Sequence, residues 1–436
     1  MSNKYSSAMN EANNEKKVMV PRLRFPEFRD AGEWAVPELQ EISMPVDERV
    51  GDRQLTPVSI SAGIGFVPQA EKFGRDISGN QYRLYTLVRD GDFVYNKGNS
   101  LRFPQGCVYD LQGWGEVAAP NVFICFRLKS GYENVFFRYC FEKNAHGLQL
   151  KKHITSGARS NGLLNISKEA FFGVRIPTPK RKEQKKIADC LSSLDEVIAA
   201  ESQKLDSLRA YKKGLMRQLF PREGETVPRL RLPGFQRDPQ WTSATLGDIA
   251  NVQSGGTPAR TNPAYWNGDI PWVTTSLIDS SIILKADEYI TKAGLEESSA
   301  KIFPKGTLLM AMYGQGKTRG RVSVLGIDAA TNQACAAIIL KGRGISTDFV
   351  FQNLASRYEE IRKISNSGGQ ENLSAGLIEG ISFSFPENES EQECIANTLS
   401  SIDGLITAQR QKIDALEIHK KGLMQQLFPV MAEALA

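Results

Sequence analysis

The densest group of side chains suited to chemistry lies between Ala311 and Arg321. The segment Ala-Met-Tyr-Gly-Gln-Gly-Lys-Thr (311–318) is one glycine short of the phosphate-binding loop G-x-x-x-x-G-K-[ST]. In such a loop the lysine opens a helix whose N-terminus holds the phosphates, whereas Arg321 leads directly into a β-branched run. We therefore expect no nucleotide hydrolysis at this segment.

The same segment is better suited to contact with DNA. Glutamine pairs with adenine edges, arginine with guanine edges, and both lysine and arginine with phosphates. Loops of similar character occur at Tyr95–Arg102 and Lys151–Asn161, and the latter has a counterpart at Asn366–Asn372. Any one of them could equally be a solvated polar turn, but their partly matching positions favour recognition. The candidate DNA-binding residues are Asn96, Lys97, Asn99, Arg102, Lys151, Lys152, Arg159, Asn161, Tyr313, Gln315, Lys317, Thr318, Arg319, Arg321, Gln370 and Asn372.

A second motif resembles part of a catalytic site. Asn262-Pro263-Ala264-Tyr265 is similar to the Asn-Pro-Pro-Tyr motif with which amino-methyltransferases hold a flipped base, but alanine replaces the second proline. The glycine-rich loop that would hold the methyl donor is not evident. We therefore expect a polar surface loop here. No Ser-His-Asp or Cys-His arrangement stands out elsewhere, so no catalytic residue is predicted.

Composition limits the remaining classes of function. Hydrophobic content of 41% and charged content of 24% are typical of a globular protein. No run approaches the roughly eighteen apolar residues that a membrane span needs, so no membrane partner is expected. The net charge of +5 permits nucleic-acid binding without requiring it. The six cysteines and three histidines show no metal-ligand spacing, which predicts no metal site and a reducing, cytoplasmic location.

The elements that would position the polar loops belong to an internal repeat with an offset of about 207 residues. Val-Pro-Arg-Leu-Arg-Phe-Pro (20–26) returns as Val-Pro-Arg-Leu-Arg-Leu-Pro (227–233). The segment 183–221 returns as 391–429 with 23 of 39 positions identical. Because the sequences between these matched ends scarcely resemble each other, the repeat indicates one scaffold that carries two divergent inserts.

Each copy of the repeated ending is predicted to be one long helix, over Glu183–Leu219 and Glu391–Leu427, that stops before a Phe-Pro pair. In each helix apolar residues occupy alternating a and d heptad positions and form a stripe that we term the seam. Polar residues interrupt the seam at matching places in the two copies. The shared pattern predicts that the two helices meet each other and that the polar residues set their register. The alternative is that each helix lies on its own globular domain. The interruptions are Glu201, Lys212, Gln409 and Lys420, and the seam residues are Ile187, Leu191, Leu194, Ile198, Leu205, Leu208, Leu215, Ile395, Leu399, Ile402, Ile406, Ile413, Leu416 and Leu423.

The two inserts are predicted to be mixed, strand-rich domains that share a fold despite their low identity. Strand-like runs such as Asn121–Leu128 and Ala334–Leu340 accompany helical patches at Val135–Lys143 and Asp348–Ile364. The two inserts also align loosely at two places, Arg89–Phe93 with Phe303–Thr307 and Ala119–Asn121 with Ala330–Asn332.

The predicted class is α+β: two globular strand-rich domains separated by two long helices that form an antiparallel coiled coil, with a pseudo-two-fold internal repeat. The predicted divisions are a disordered tail at 1–19, a first domain at 20–178, a spacer helix at 179–221, a second domain at 222–386, a second spacer helix at 387–430 and a tail at 431–436.

Four features together carry a family resemblance. They are Pro-Arg-Leu-Arg-Phe-Pro-Glu-Phe (21–28) with Trp34, Ser-Gly-Gly-Thr-Pro (254–258) with Tyr265-Trp266 and Ile270-Pro-Trp272, Glu-Gln-x-x-Ile-Ala at 183–188 and 391–396, and the repeated Lys-Lys-Gly-Leu-Met ending. With these features the chain resembles the specificity subunits of type I restriction–modification enzymes. The resemblance extends over essentially everything after the first 20 residues.

The resemblance implies that the chain is not itself an enzyme. In that family each insert is a target-recognition domain that reads one half of a split, asymmetric site in double-stranded DNA. The paired helices hold the domains apart and dock two modification (methyltransferase) subunits, which bring S-adenosylmethionine and methylate adenine. Restriction subunits can join and add translocation and cleavage that use ATP and Mg. The chain itself is expected to bind no cofactor.

Two other functions stay open at this point. One is a solitary DNA-binding or decoy subunit without a methyltransferase partner, which the content of the adjacent reading frames would reveal. The other is a self-sufficient methyltransferase, for which the purified chain alone would have to transfer methyl groups to DNA.

Overall fold

The computed structural model describes residues 19–98, 103–154, 164–222, 224–314, 317–342, 344–364 and 372–429. It divides the chain into two compact units, Met1–Glu201 with Lys412–Ala436 (unit 1) and Ser202–Gln411 (unit 2). Both boundaries between the units fall inside the long helices. Each unit therefore contains one strand-rich domain, the first part of one long helix and the last part of the other.

Unit 1 contains the first strand-rich domain. Its elements in chain order are α1 (Leu39–Ile42), β1 (Ser43–Pro45), β2 (Thr56–Ser61), β3 (Gly65–Pro68), α2 (Gln69–Phe73), β4 (Thr86–Arg89), β5 (Phe93–Asn96), β6 (Cys107–Asp110), β7 (Glu116–Ala119), β8 (Ile124–Leu128), α3 (Asn134–Glu142), α4 (Ala145–Leu150), α5 (Lys168–Phe172) and the long helix α6 (Arg181–Leu219), whose second part belongs to unit 2.

Unit 2 contains the second domain. Its elements are β9 (Thr242–Thr245), α7 (Leu246–Ile249), β10 (Ala250–Ser254), β11 (Trp266–Val273), β12 (Ile282–Ile283), β13 (Glu288–Ile290), α8 (Lys292–Glu296), β14 (Ile302–Phe303), β15 (Leu308–Ala311), β16 (Val322–Leu325), β17 (Ala329–Thr331), β18 (Cys335–Leu340), α9 (Thr347–Ser356), α10 (Tyr358–Ile361), α11 (Ala375–Glu379), β19 (Ser382–Phe385) and α12 (Glu389–Leu427), whose second part belongs to unit 1.

The two domains have the same strand order. One sheet runs β1-β8-β5-β6 in unit 1 and β10-β18-β15-β16-β12 in unit 2. The other runs β3-β2-β7-β4 in unit 1 and β13-β11-β17-β14 in unit 2, with one parallel pair at the same place, β2 with β7 and β11 with β17. The prediction that the inserts share a fold is confirmed. The loosely aligned segments Arg89–Phe93 and Phe303–Thr307 both connect the second sheet to the first.

The secondary structure also follows the predicted pattern closely. Both long helices begin two residues earlier than predicted and end where predicted, at Leu219 and Leu427. The helical patch at Val135–Lys143 is α3. The patch at Asp348–Ile364 is two helices, α9 and α10, which are separated at Arg357.

Each domain packs on a platform made from both long helices. In unit 1, Ile187 and Leu191 at the start of α6 share one buried cluster with Met424 and Leu427 at the end of α12 and with Trp34 of the domain. In unit 2 the repeat counterparts form the matching cluster, in which Ile395 and Leu399 at the start of α12 meet Met216 and Leu219 at the end of α6 and Trp241 of the domain. The start of one helix therefore lies beside the end of the other, so the helices run in opposite directions within each unit.

A buried ion pair ties the Pro-Arg-Leu-Arg segment to the helix platform in each unit. Arg24 donates two hydrogen bonds to the carboxylate of Glu183, at 2.7 and 2.8 Å. Arg231 donates two to Glu391, at 2.8 and 2.7 Å. These hydrogen bonds raise the pKa of both arginines above the ordinary value. Bidentate geometry of this kind is available to arginine and not to lysine.

The glutamine that follows each of these glutamates also has a structural role. Gln184 accepts a hydrogen bond from the backbone N–H of Glu133, the N-cap of α3, at 3.0 Å, and donates to the carbonyl of Pro179 at 2.8 Å. Gln392 accepts from Ser346, the N-cap of α9, at 2.8 Å, and donates to Pro386 at 2.8 Å. The Glu-Gln motif therefore joins three parts of each unit: the entry segment, the long helix and a domain helix.

The entry segments also bond to the C-terminal end of a long helix. The backbone N–H of Leu23 donates to the carbonyl of Gln426 at 3.0 Å, and that of Leu230 donates to Gln218 at 2.9 Å. The last carbonyls of a helix lack partners inside the helix, so these bonds satisfy groups that would otherwise need water. The end of α12, the last helix that the structure describes, thereby bonds to the entry segment of unit 1 at the other end of the chain.

Candidate nucleic-acid interface

The predicted polar loops lie at equivalent places in the two domains. The loop around Tyr95–Arg102 connects β5 to β6, and the loop around Tyr313–Arg321 connects β15 to β16. These are the same two strands of the shared sheet. The two loops that are similar in chemical character therefore also lie at equivalent positions in the two domains.

A backbone hydrogen bond joins the residue that follows the second predicted loop of each domain to the start of the first loop. In unit 1 the N–H of Leu164, just beyond the loop that begins at Lys151, donates to the carbonyl of Lys97 at 2.9 Å. In unit 2 the N–H of Leu373, beside Asn372, donates to the carbonyl of Met312 at 3.0 Å. Each domain thus has one edge where the residue that follows one predicted loop bonds to the start of the other, and we term this edge, at Lys97 and Leu164 in unit 1 and at Met312 and Leu373 in unit 2, the polar edge.

Basic and aromatic side chains cluster at the polar edge of unit 2. The Tyr358 hydroxyl donates to the carbonyl of Lys317 at 2.6 Å, and Arg319 donates to the carbonyl of Arg362 at 2.8 Å. The guanidinium groups of Arg321 and Arg362 lie 5.9 and 5.5 Å from the centre of the Tyr358 ring. Helix α10 therefore supports the loop, and Arg362, the residue that follows this helix, adds a further cation to it.

Tyr358 and Arg362 were not among the predicted site residues. Their spacing of four places them on one face of a helix, which the sequence does show. Their contact with the β15–β16 loop, more than 35 residues away, depends on the tertiary structure.

Among the predicted residues of unit 2 that the structure describes, three are exposed and three are half-buried. Tyr313 is 40% exposed, and Lys317 and Asn372 are also exposed. Thr318, Arg319 and Arg321 are half-buried.

In unit 1, Asn96 departs from its predicted role. It is 8% exposed, and its amide donates to the carbonyl of Ile60 at 2.8 Å and accepts from the backbone of Gly98 at 2.7 Å. Both ends of the carboxamide are therefore used inside the domain, and this residue is corrected from a DNA contact to a structural one. Lys97 is half-buried, and Lys151 and Lys152 are exposed on a 3₁₀ turn.

Six predicted residues lie outside the described part of the chain. They are Asn99, Arg102, Arg159, Asn161, Gln315 and Gln370. Their contact with DNA stays a prediction.

The fourteen predicted seam residues are all buried or half-buried. Those at the ends of the seam, such as Ile187 and Leu399, contact both the other helix and a domain core. The two alternatives posed from the sequence, helix against helix and helix against domain, therefore both hold at these positions.

Three polar interruptions of the seam form ion pairs across the helix pair. Lys212 donates to both carboxylate oxygens of Asp403 at 2.7 Å in unit 2. Its repeat counterpart Lys420 lies 2.9 Å from Asp195 in unit 1, and Lys412 lies 2.5 Å from Glu201. Each of these pairs joins one long helix to the other, and that the polar seam residues set the register stays a prediction.

Lys420 is held as a cation. Burial acts to lower its pKa, but the hydrogen bond to Asp195 and the nearby Glu142 outweigh burial, so the pKa lies above the ordinary value.

The two segments that resembled catalytic motifs have structural explanations. After Lys317 the chain makes a turn and enters strand β16 rather than a helix. Asn262 accepts a hydrogen bond from the backbone N–H of Ala264 at 3.1 Å, and Tyr265 donates to Glu297 at 2.6 Å. Asn262 thus caps a 3₁₀ turn.

No helix within the described part of the chain is both long and apolar enough to cross a membrane. No group of three or more His, Cys, Asp and Glu side chains in that part of the chain is arranged to hold a metal ion.

Comparison with known proteins agrees with the resemblance drawn from the motifs. Residues 91–210 and 239–418, more than half of the chain, match the family model described as type I restriction modification DNA specificity domain. The specificity subunit of the type I restriction enzyme MjaVIII from Methanocaldococcus jannaschii is 25% identical over 303 residues, which cover 65% of this chain and 68% of that protein. The EcoR124I/EcoR124II specificity subunit from Escherichia coli is 26% identical over 245 residues, 55% of this chain and 58% of that protein.

A solved structure shows the same fold. The S subunit of the type I restriction–modification system from M. genitalium superimposes with a TM-score of 0.57 at 15% identity, covering 95% of this chain and 100% of that chain. The family model, the relatives and the duplicated frame agree with one another: the chain belongs to the type I restriction–modification DNA specificity family.

Proposed function

We propose that this chain is a non-catalytic specificity subunit that recognises a bipartite, asymmetric site in double-stranded DNA, each strand-rich domain reading one half. The observation that carries this proposal is the polar edge, which occurs twice in one fold and is closed by equivalent backbone bonds at Lys97 and Met312. The side chains at the two edges differ. Two unlike readers fit two unlike half-sites, whereas two copies of one reader would fit a palindrome.

The two long helices form the spacer, an antiparallel coiled coil with a pseudo-two-fold relation. The matched ion pairs of Lys212 and Lys420 across the seam support this arrangement. Each helix has 39 residues, which corresponds to about 58 Å at a rise of 1.5 Å per residue. That length brackets half-sites one turn of DNA apart, about 34 Å.

The outer face of the helices docks two adenine methyltransferase subunits, and through them restriction subunits where these are present. Val197 and Leu405 occupy the same repeat position, lie outside the a and d positions of the seam and are 45% and 58% exposed. Apolar side chains that are exposed at equivalent places on a helix pair fit burial by a partner. S-adenosylmethionine, ATP and Mg belong to those partners in this proposal, and the complex works in the cytoplasm.

Methylome sequencing of the host with and without this gene tests the proposal. We expect one bipartite adenine-methylation motif to disappear when the gene is removed. If every motif persists although the host encodes the methyltransferase partner, the proposal is wrong. Methyl transfer to DNA by the purified chain alone would contradict the non-catalytic assignment.

A domain exchange separates the two readers. Replacing residues 228–385, which lie within unit 2, with the corresponding insert of another family member should change one half-site and leave the other as it was. A change in both half-sites would contradict the two-reader arrangement. Adding one heptad to both helices should lengthen only the gap between the half-sites.

A further inference from the structure

We infer that Gln333 is a specificity-determining residue of the second domain, oriented by Thr257 to read an adenine edge in the major groove. This inference rests on the proposed function and names one contact within it. Gln333 is exposed in the turn between β17 and β18, and sequence reasoning did not select it.

The turn that carries Gln333 belongs to the polar edge of unit 2. The backbone N–H of Met312 donates to the carbonyl of Ala334 at 2.9 Å, while its carbonyl accepts from Leu373 at 3.0 Å. Met312, which directly follows β15, thus joins three segments: the β15–β16 loop, the turn that carries Gln333 and the segment that contains Asn372. Gln333 therefore stands among the candidate DNA-binding residues.

The Ser-Gly-Gly-Thr-Pro segment delivers Thr257 to this turn. The N–H of Gly256 donates to the carbonyl of Thr331 at 2.8 Å, and the indole N–H of Trp272 donates to the carbonyl of Gly256 at 3.0 Å. A Cβ at Gly255 would collide with the backbone of Thr331, so only glycine permits this approach. The close approach places the Thr257 hydroxyl where it donates to Oε1 of Gln333.

The contact leaves Gln333 able to bind a base. A carboxamide oxygen has two lone pairs, and Thr257 uses one. The other lone pair can accept from N6–H of adenine while Nε2–H donates to N7, which is the bidentate pattern that distinguishes adenine. Within the described residues Nε2 has no hydrogen-bond partner.

The first domain lacks this arrangement. The alignment of Asn121 with Asn332 places Val122 at the position of Gln333. Valine offers no hydrogen bond to a base edge, so this turn differs in chemistry between the two readers. Such a difference is expected where two domains of one fold read unlike half-sites.

The test compares the full-length chain with its methyltransferase partner as wild type, Gln333→Ala, Thr257→Val and Thr257→Ser. After methylome sequencing has given the wild-type motif, methylation rates are measured on duplexes in which each A·T pair of the second domain's half-site is replaced in turn by G·C. A ratio of rates does not depend on the fraction of active complex. A second ratio, for substitutions in the other half-site, is the internal control.

We expect Gln333→Ala to reduce discrimination about tenfold or more at one A·T pair, in line with the loss of one bidentate contact. Thr257→Val should give a smaller loss at the same pair, and Thr257→Ser, which keeps the hydroxyl, should resemble wild type. Unchanged ratios for Gln333→Ala at every position, or a change in the first domain's half-site, would overturn the inference. A wild-type complex that methylates no bipartite motif would instead overturn the proposed function.

Discussion

Breaking the buried ion pair between Arg24 and Glu183 should loosen the attachment of the first domain to its helix platform. The Arg24 and Glu183 side chains are 7% and 2% exposed, and two hydrogen bonds join them. In Arg24→Met the carboxylate stays buried, with Trp34 as a donor at 3.3 Å. Removal of one partner of such a pair costs about 3–5 kcal/mol.

A free-energy loss of that size has a measurable local effect. At about 1.4 kcal/mol per factor of ten, opening of the platform becomes more frequent by two to more than three orders of magnitude. Amide hydrogen exchange followed by mass spectrometry should show this loss of protection at the start of α6. Arg231→Met should do the same at the start of α12, because Arg231 forms the equivalent pair with Glu391.

Two controls separate the buried pair from general charge effects. Lys185→Met removes an exposed pair with Asp189 on the same helix and should change stability by less than about 1 kcal/mol. The double variant Arg24→Met with Glu183→Met removes both charges and should recover most of the lost protection. If Arg24→Met costs less than about 1 kcal/mol, or if the double variant is no better than the single one, the reasoning fails.

Three further predictions concern other parts of the molecule. Burial lowers the pKa of His146 to about 4, so between pH 6.5 and 4 the unfolded state binds a proton that the folded state does not, and unit 1 should lose about 3 kcal/mol of stability as the pH falls through this range. In denaturant titrations His146→Leu should flatten this pH dependence, whereas substitution of the exposed residue, His153→Leu, should not. An equal effect of the two substitutions would contradict the prediction. Trp34→Phe should destabilise its unit by about 1 kcal/mol more than Trp241→Phe, because the indole N–H of Trp34 has an acceptor and that of Trp241 has none among the described residues. Equal decreases in melting temperature for the two variants would contradict this. Lys317→Ala should weaken DNA binding on matched and unmatched sequences alike and lower the slope of log affinity against log salt by about 1, and an unchanged slope would remove Lys317 from the phosphate contacts.

Much of the architecture could be predicted from the sequence because the patterns that specify it are local. Heptad periodicity and the Phe-Pro stops located both long helices to within two residues. The matching character of the loops at Tyr95 and Tyr313 located the same sheet connection in both domains. These predictions need only side-chain periodicity and the conformational limits of proline and glycine.

Sequence reasoning misjudged or missed residues whose role depends on distant partners. Asn96 has the type of a DNA-reading residue, but Ile60 and Gly98 take up its amide. Nothing in the sequence distinguishes the turn that carries Gln333, because the hydroxyl that bonds to this residue belongs to Thr257, 76 positions earlier in the chain. Tyr358 likewise contributes to the polar edge only through the Lys317 carbonyl.

By itself the sequence determined that this protein is a duplicated helical frame with two divergent, strand-rich inserts. Only the tertiary structure decided that each domain rests on the start of one helix and the end of the other, so that residues after Lys412 complete the first domain. The physical reason is that an amphipathic stripe specifies which face of a helix is buried, but not against what. The partner is selected by matched groups far apart in the chain, such as the Leu23 N–H with the Gln426 carbonyl and Lys420 with Asp195.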